Sequence, residues 1–532
     1  MRLDSGGEVV ITSPKKVKDL GYRISGNYYF SFLIKEDLLD VCFPVGSSSF
    51  LFCFKIRNFL KEDDFEGTGW IEIYSKEKDV TIIIPPYRQG FFVGKKINKT
   101  IKVGAYSKLF WEVARDVRTL QTNWSDIPIY YSSAGCCQPS IAFVGTRKGS
   151  YVSIGDTPEG AILNAIHLRR IGYKNLKEET TRFLQSFEGL NDKVLRGNTF
   201  VSLFYSNSFL IDSDDSCIMA SKSPKYYVSG GFWARDFIFW TLPIIEKYDM
   251  KRAKELIQLL FTKYWRHKGI HALYLDGRIL YNGFELDQLS FYFLALERGL
   301  RYGIIEPERS LSMADELMDL LKEWKHYRYN LYRTYLNSSD DQTAYPYVTF
   351  DNVALWFSLR KYGLLVKKRL SEEKYLAYSR MIKNDILANL VKNGMFCYST
   401  DLRGNYEFYD DPTGSLLLLP YLGFVNKNSE VFKNTLRWVK SDRNKFLIKG
   451  KFPGLGNRHV AHPWIHGIST EILSGITEPS IINKIPMDEG LSCETIDENS
   501  GKCITGIHFP GSSGFLVQAL WHSRKKNRIG KT

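Results

Sequence analysis

The sequence predicts an α+β chain in two parts: an N-terminal antiparallel β-sandwich over residues 1–150, then a six-hairpin (α/α)6 toroid over residues 151–532. Three observations predict it. A length of 532 residues exceeds what one ordinary core serves. Near residue 150 the hydrophobic pattern changes from short β-branched and aromatic runs to helical spacing. The helical segments then succeed one another without a fixed repeat period, which counts against a solenoid.

From Val9 to about Ser150, runs such as NYYFSFLI, SFLFCF, VTIIIP and IAFVG alternate with Gly, Pro, Asn and Ser clusters, the signature of antiparallel strands. After Gly155 the spacing predicts helices over roughly 158–171, 175–189, 192–208, 231–247, 251–265, 285–302, 308–325, 351–362, 371–391, 413–423, 429–440, 464–474 and 511–522. Helices in such number, with aromatic residues in their connections, fit a closed ring of hairpins.

Composition narrows the function classes. Hydrophobic content of 44% and charged content of 24% are those of a globular protein, and the 14% of aromatic residues suits the apolar faces of sugar rings as well as a core. The formal charge of +14 invites a nucleic-acid partner, but Lys and Arg are interspersed with Asp and Glu, and only His522 to Arg528 forms a dense basic run. No nucleic-acid partner is therefore expected. The 8 cysteines show no C-x-x-C or His-rich spacing, so neither a structural zinc site nor a disulfide framework is expected. The N-terminus lacks the apolar run of a signal peptide and no stretch of about eighteen apolar residues occurs. These features lead to the expectation of a cytoplasmic protein with no membrane partner.

Five clusters carry candidate chemistry. The first, Gly231-Phe232-Trp233-Ala234-Arg235-Asp236, reads either as a buried ion pair beside a core Trp or as a bidentate donor, an acceptor and a stacking platform for a sugar. In the second, Glu285-Leu286-Asp287-Gln288, the acids open an apolar helix; they either cap it or face a central cavity. The third and fourth are acidic loops running into helices, Asp340-Asp341 before TAYPY and Asp410-Asp411 before Pro412-Thr413-Gly414-Ser415. In the fifth, Glu494 follows Cys493 in a polar loop near the end of the helical region. Two carboxyl groups on opposite sides of a ring suit inverting glycoside hydrolysis, in which one protonates the leaving oxygen and the other activates water.

In order along the chain, these clusters resemble the metal-independent exo-α-mannosidases, inverting glycoside hydrolases with an (α/α)6 barrel. WARD at 233–236 resembles that family's W-x-R-D, and FELDQLS its E-[LI]-D-S-L. DDQTAYPYVTFDN and DDPTGSLLLLPYLGF are similar to its two D-D segments, and His462-Pro463-Trp464 to its H-x-W-P. The resemblance implies Asp287 as general acid and Glu494 as general base. It also implies a terminal-sugar subsite drawn from Trp233, Arg235, Asp236, Glu285, Asp340, Asp341, Asp410, Asp411, His462 and Trp464, with no metal and no cofactor. The partner it implies is an oligosaccharide or glycoside substrate. Three departures stand out: Gln288 in place of Ser, Cys493 in place of His, and Pro412-Thr413 within the second acidic loop. The stretch from Glu494 to Gly501 is also similar to the base loop of glucoamylase-type enzymes. A glucoamylase or α-glucosidase-like hydrolase and a non-catalytic carbohydrate-binding protein are the alternatives.

Overall fold

The computed structural model describes residues 231–529 without interruption, most of 158–221, and, within the first 155 residues, the strands together with residues 85–88. The chain divides into two compact units, Met1–Gly230 and Gly231–Thr532.

The first unit holds two five-stranded sheets. One runs in the order Gly21–Ser25, Ser49–Asn58, Phe65–Tyr74, Thr100–Ser107, Asp116–Gln121; its first pair is parallel and the rest antiparallel. The other is antiparallel throughout, in the order Pro128–Ser132, Ser140–Thr146, Gly149–Gly155, Gly90–Gly94, Thr81–Ile83. The strands expected before residue 150 are thus present, while their packing face to face as a sandwich lies outside the described residues. Helix α1 (Pro158–Gln185) covers the second sheet, its Ala165, Leu168 and Leu176 closing on Ile83, Phe92, Val144 and Tyr151. The two helices expected at 158–171 and 175–189 meet here at a kink, the non-helical Gly172 with φ 82 and ψ 153. Helix α2 (Lys193–Tyr205) begins where the Asp192 carboxylate accepts the Leu195 amide at 3.0 Å.

The second unit is a double layer of helices: α3 (Leu242–Tyr248), α4 (Met250–Phe261), α5 (Leu286–Arg301), α6 (Pro307–Trp324), α7 (Thr349–Leu370), α8 (Lys374–Asn389), α9 (Glu430–Val439), α10 (Ile465–Ser474) and α11 (Pro510–Ile529). Burial sorts them into two kinds. α4, α6 and α9 bury one stripe, as outer helices do. α5 is buried at nearly every position from Leu286 to Leu300, and α10 at every position. A helix buried all round must have neighbours on all sides, so α5 and α10, with the first half of α7, form the inner layer. At its N-terminal end each inner helix places polar residues, among them Asp287, Asp351 and His466, in the interior. Among the described residues no helix is long and apolar enough to cross a membrane.

Three elements differ from the sequence reading. Over 231–247, residues Gly231–Phe232 pair as a strand with Leu273–Tyr274, and Asp236–Thr241 forms a π-helix before α3. Over 413–423 only Leu416–Leu418 is helical, as a 3-10 turn, because the Asp410 carboxylate draws in the Ser415 hydroxyl at 2.7 Å and the Leu416 amide at 2.9 Å, and Pro420 follows at once. A disulfide joins Cys493 to Cys503, ten residues apart, where none was expected. The hairpin of Thr495–Ile496 with Cys503–Thr505 brings the two Cα atoms to 5.9 Å, a proximity that spacing alone does not reveal.

Close contact of α5 with α4 depends on Gly299, where a Cβ would lie 2.6 Å from the Phe261 ring and 3.1 Å from Ile305. Gly299→Ala is expected to cost about 1–3 kcal/mol of stability, read from the midpoint of chemical denaturation.

Candidate active site

Arg235 lies between the strand Gly231–Phe232 and the π-helix, and is 3% exposed. Its guanidinium is surrounded by carboxylates. Nε donates to Asp236 at 3.1 Å, Nη1 to Glu285 at 3.1 Å and to Asp287 at 3.4 Å, and Nη2 to Asp340 at 2.9 Å. The Trp240 ring lies 5.3 Å from the guanidinium carbon. Gln288 fastens the backbone of this cluster. Its Oε1 accepts the Arg235 amide at 2.8 Å, and its Nε2 donates to the His271 carbonyl and to Glu285, both at 3.1 Å. His271 pairs through Nδ1 with Glu285 and stands 3.7 Å from Asp340.

Charge balance in this cluster is uneven. One arginine and one histidine face four carboxyls, so some of the carboxyls retain protons at neutral pH. Burial pushes Asp236 up to about 8 against the pull of Arg235, and the charges of Asp340, Glu285 and Glu494 add to the rise. Burial likewise raises Glu285 to about 7, opposed by His271. For His271 burial acts downward, but the bond to Glu285 outweighs it and carries the imidazole up to about 9. His271, Glu285 and Asp340 offer ligand atoms within 4.8 Å of one another, a spacing a metal ion would accept. Arg235 already holds both of those carboxylates, and its fixed positive charge opposes a cation there.

Asp287 opens α5, fully buried, with Oδ1 accepting the Gln288 amide at 2.6 Å. Facing it on α7 is Asp351, which the sequence reading passed over as part of a helix start. Its pKa is driven well above the ordinary range, first by burial and then by the charge of Asp287, and Ser338 donates to it at 2.9 Å. The remaining acidic residues separate by role. Asn337 receives the Ser339 and Asp341 amides, both at 2.9 Å, and holds the first acidic loop, with Asp340 in the left-handed region at φ 64. Asn337 Nδ2 and the Tyr398 hydroxyl both donate to Asp411, at 3.1 and 3.0 Å, and Asp341 pairs with His459 at 3.1 Å. Burial pushes Asp411 up to about 7. Asp410 turns away to cap Leu416, and His462 pairs with Glu498 at 2.9 Å, so neither joins the arginine cluster.

Glu494 is 4% exposed. Its amide donates to the carbonyls of Thr505 and Gly506 at 3.1 and 3.2 Å, and its carbonyl accepts the Ile465 amide at 2.9 Å at the start of α10. Gly506, at φ 58, has no room for a side chain: a Cβ there would lie 2.3 Å from Glu494 Cγ. The Glu494 charge raises both Asp236 and His459, so the carboxylate lies near the carboxyl of the one and the imidazole of the other. Several buried polar atoms around these groups, Trp233 Nε1, Trp464 Nε1, Asp341 Oδ2, Asp351 Oδ2 and Asp411 Oδ1, have no hydrogen-bond partner among the described residues. Leaving such an atom unsatisfied costs about 1–3 kcal/mol, which a polyhydroxylated ligand would recover.

A family model described as metal-independent alpha-mannosidase (GH125) matches residues 319–487, a stretch that includes Asp340, Asp341, Asp410, Asp411 and Trp464 and is flanked by Asp287 and Glu494. The meiotically up-regulated gene 157 protein of Schizosaccharomyces pombe is 28% identical over 137 residues, 24% of this chain and 27% of that protein. The chain thus spans about a quarter of the length of the curated relative it matches. Among solved structures, a metal-independent alpha mannosidase of Streptococcus pneumoniae, held in a non-productive complex with alpha-1,6-mannobiose, aligns with a TM-score of 0.53 at 15% identity, covering 66% of this chain and 98% of that one. A bacterial glucoamylase complexed with acarbose aligns with a TM-score of 0.54 at 12% identity, covering 97% of this chain and 89% of that one. At these identities the likeness establishes the fold, the helix-rich (α/α)6 architecture of the six-hairpin glycosidases.

The retained protons set a pH dependence. Carboxyls raised to about 8 at Asp236 and about 7 at Glu285 and Asp411, and an imidazole raised to about 9, contribute stability that is fully present below their unfolded values and lost as pH rises through the folded ones. The melting temperature is therefore expected to fall from about pH 5 to about pH 9, and that of Asp236→Asn to fall less between about pH 5 and about pH 8. Gly506→Ala, whose Cβ would meet Glu494 Cγ, is expected to cost about 1–3 kcal/mol of stability, read from the midpoint of chemical denaturation, with the far-ultraviolet circular dichroism spectrum retained.

Proposed function

We propose that this chain is an exo-acting glycoside hydrolase of the metal-independent α-mannosidase type, inverting at the anomeric carbon and releasing terminal α-linked mannose. The observation that carries this is one buried polar site in which Arg235 bonds both Asp236 and Asp287, the latter at the head of an inner helix, while Glu494, on a hairpin fastened to the next inner helix but one, lies near enough for its charge to raise Asp236. The family match over the intervening residues supports it.

In this mechanism the terminal sugar is held by Arg235, Asp236, Asp340, Asp341 and Asp411, with the indole N–H groups of Trp233 and Trp464 donating to its hydroxyls. Asp287 gives its proton to the glycosidic oxygen as the C1–O bond breaks. Glu494 takes a proton from a water whose oxygen bonds to C1 from the opposite face, and the product is the β-anomer. Asp287 ends ionised and Glu494 protonated, and exchange with solvent restores both. Inverting pairs work at about 6.5–9.5 Å, a separation that leaves room for the water.

A proton NMR time course with α-linked manno- and gluco-disaccharides tests the reading. The expected first product is β-mannose, and Asp287→Asn and Glu494→Gln are each expected to lower kcat by at least about a hundredfold. Release of β-glucose instead would move the sugar assignment to the glucoamylase side, and release of the α-anomer would overturn inversion.

A further inference from the structure

We propose that Tyr281, with Tyr335 anchored to the same strand, forms the platform on which the leaving-group sugar stacks, so that the protein favours a pyranose ring on the reducing side of the bond it cleaves. This rests on the glycosidase reading above and extends it to the far side of the scissile bond.

The strand Ile279–Phe284 runs directly into the first turn of α5, where Glu285 and Asp287 lie. On this strand a bulge separates Ile279, paired with Leu273, from Tyr281, paired with Ala272, and both are exposed. Tyr281 is 49% exposed, yet its ring lies 6.3 Å from that of buried Trp233 and 5.7 Å from that of His271, which pairs with Glu285. It therefore forms the outer end of a row of aromatic rings that begins inside the arginine cluster. Tyr335 is 50% exposed; its amide is bonded to the Phe284 carbonyl at 3.0 Å, and its ring edge would lie 3.4 Å from a Cβ on Gly283. Thr334, just before it, accepts the Leu286 amide at 3.1 Å. Both tyrosines are thus anchored to the backbone that presents Asp287.

Scattered exposed aromatic residues need no explanation, but two tied to the segment that carries the acid, one of them ending a row of rings that starts at the arginine cluster, do. The acid must reach the glycosidic oxygen, so the leaving sugar occupies the acid's side of the cleft. On the base's side the aromatic ring, Trp464, is 5% exposed and offers no open face. A tyrosine ring presented to solvent supplies the flat apolar surface that the C–H face of a pyranose covers.

Steady-state kinetics on two substrates separates this subsite from the rest of the site: an α-linked mannobiose, whose leaving group is a sugar, and α-mannosyl fluoride, whose leaving group has no ring. Tyr281→Ala is expected to raise KM for mannobiose about three- to tenfold and leave kcat/KM for the fluoride within about twofold, with Tyr281→Phe close to wild type on both. Equal losses on the two substrates, or no loss on either, would overturn the platform. A wild-type protein that hydrolyses neither substrate would overturn the glycosidase reading instead. Calorimetric binding of mannobiose against mannose then decides the platform by itself. A preference for the disaccharide that Tyr281→Ala removes would support it, and equal binding of the two sugars would sink it.

Discussion

A guanidinium buried at 3% exposure would be ruinous without partners, and the fold of the second unit gathers four of them around Arg235. They come from the π-helix, the head of α5 and the loop before α7, so the ion pairs fix the relative placement of three segments distant in sequence. Gln288 and His271 orient the carboxylates, and Trp240 closes the cluster from below. Geometry that a sugar-binding site needs, rigid acceptors and donors aimed inward, follows from satisfying one cation.

Much of this was legible in the sequence because helix starts announce themselves. Arg235, Glu285 and Asp287 stand at the entrances of periodic apolar segments, and those entrances are where an inner helix faces the interior. Helix boundaries were legible for the same reason, except where a local bond competed: the Asp410 cap turned an expected helix into a single 3-10 turn. The partners that complete the site were not legible. His271 lies on a short strand with no periodic signal, and His459 reaches Asp341 across more than a hundred residues of chain. Asp351 did carry a signal, since it occupies the first turn of an inner helix as Asp287 does, but a capping role accounts equally well for an acid in that position.

Glu494 shows how a single side chain can be held without a helix of its own. Its peptide group is bonded on one side to Thr505 and Gly506 and on the other to the first residue of α10, an element buried along its whole length. Because α10 cannot shift without disturbing its neighbours, the hairpin inherits the rigidity of the inner layer. Gly506 then leaves the carboxylate the space that any other residue would fill.

Cys493 adjoins that carboxylate at the position where the family pattern has histidine, and its bond to Cys503 ties the two strands of the hairpin together. A half-cystine has structural value only with its mate. Either thiol alone would leave the hairpin without its staple. The two positions are therefore expected to be gained and lost together in descent, so that lineages keeping histidine before the glutamate have no selective reason to keep cysteine ten residues on.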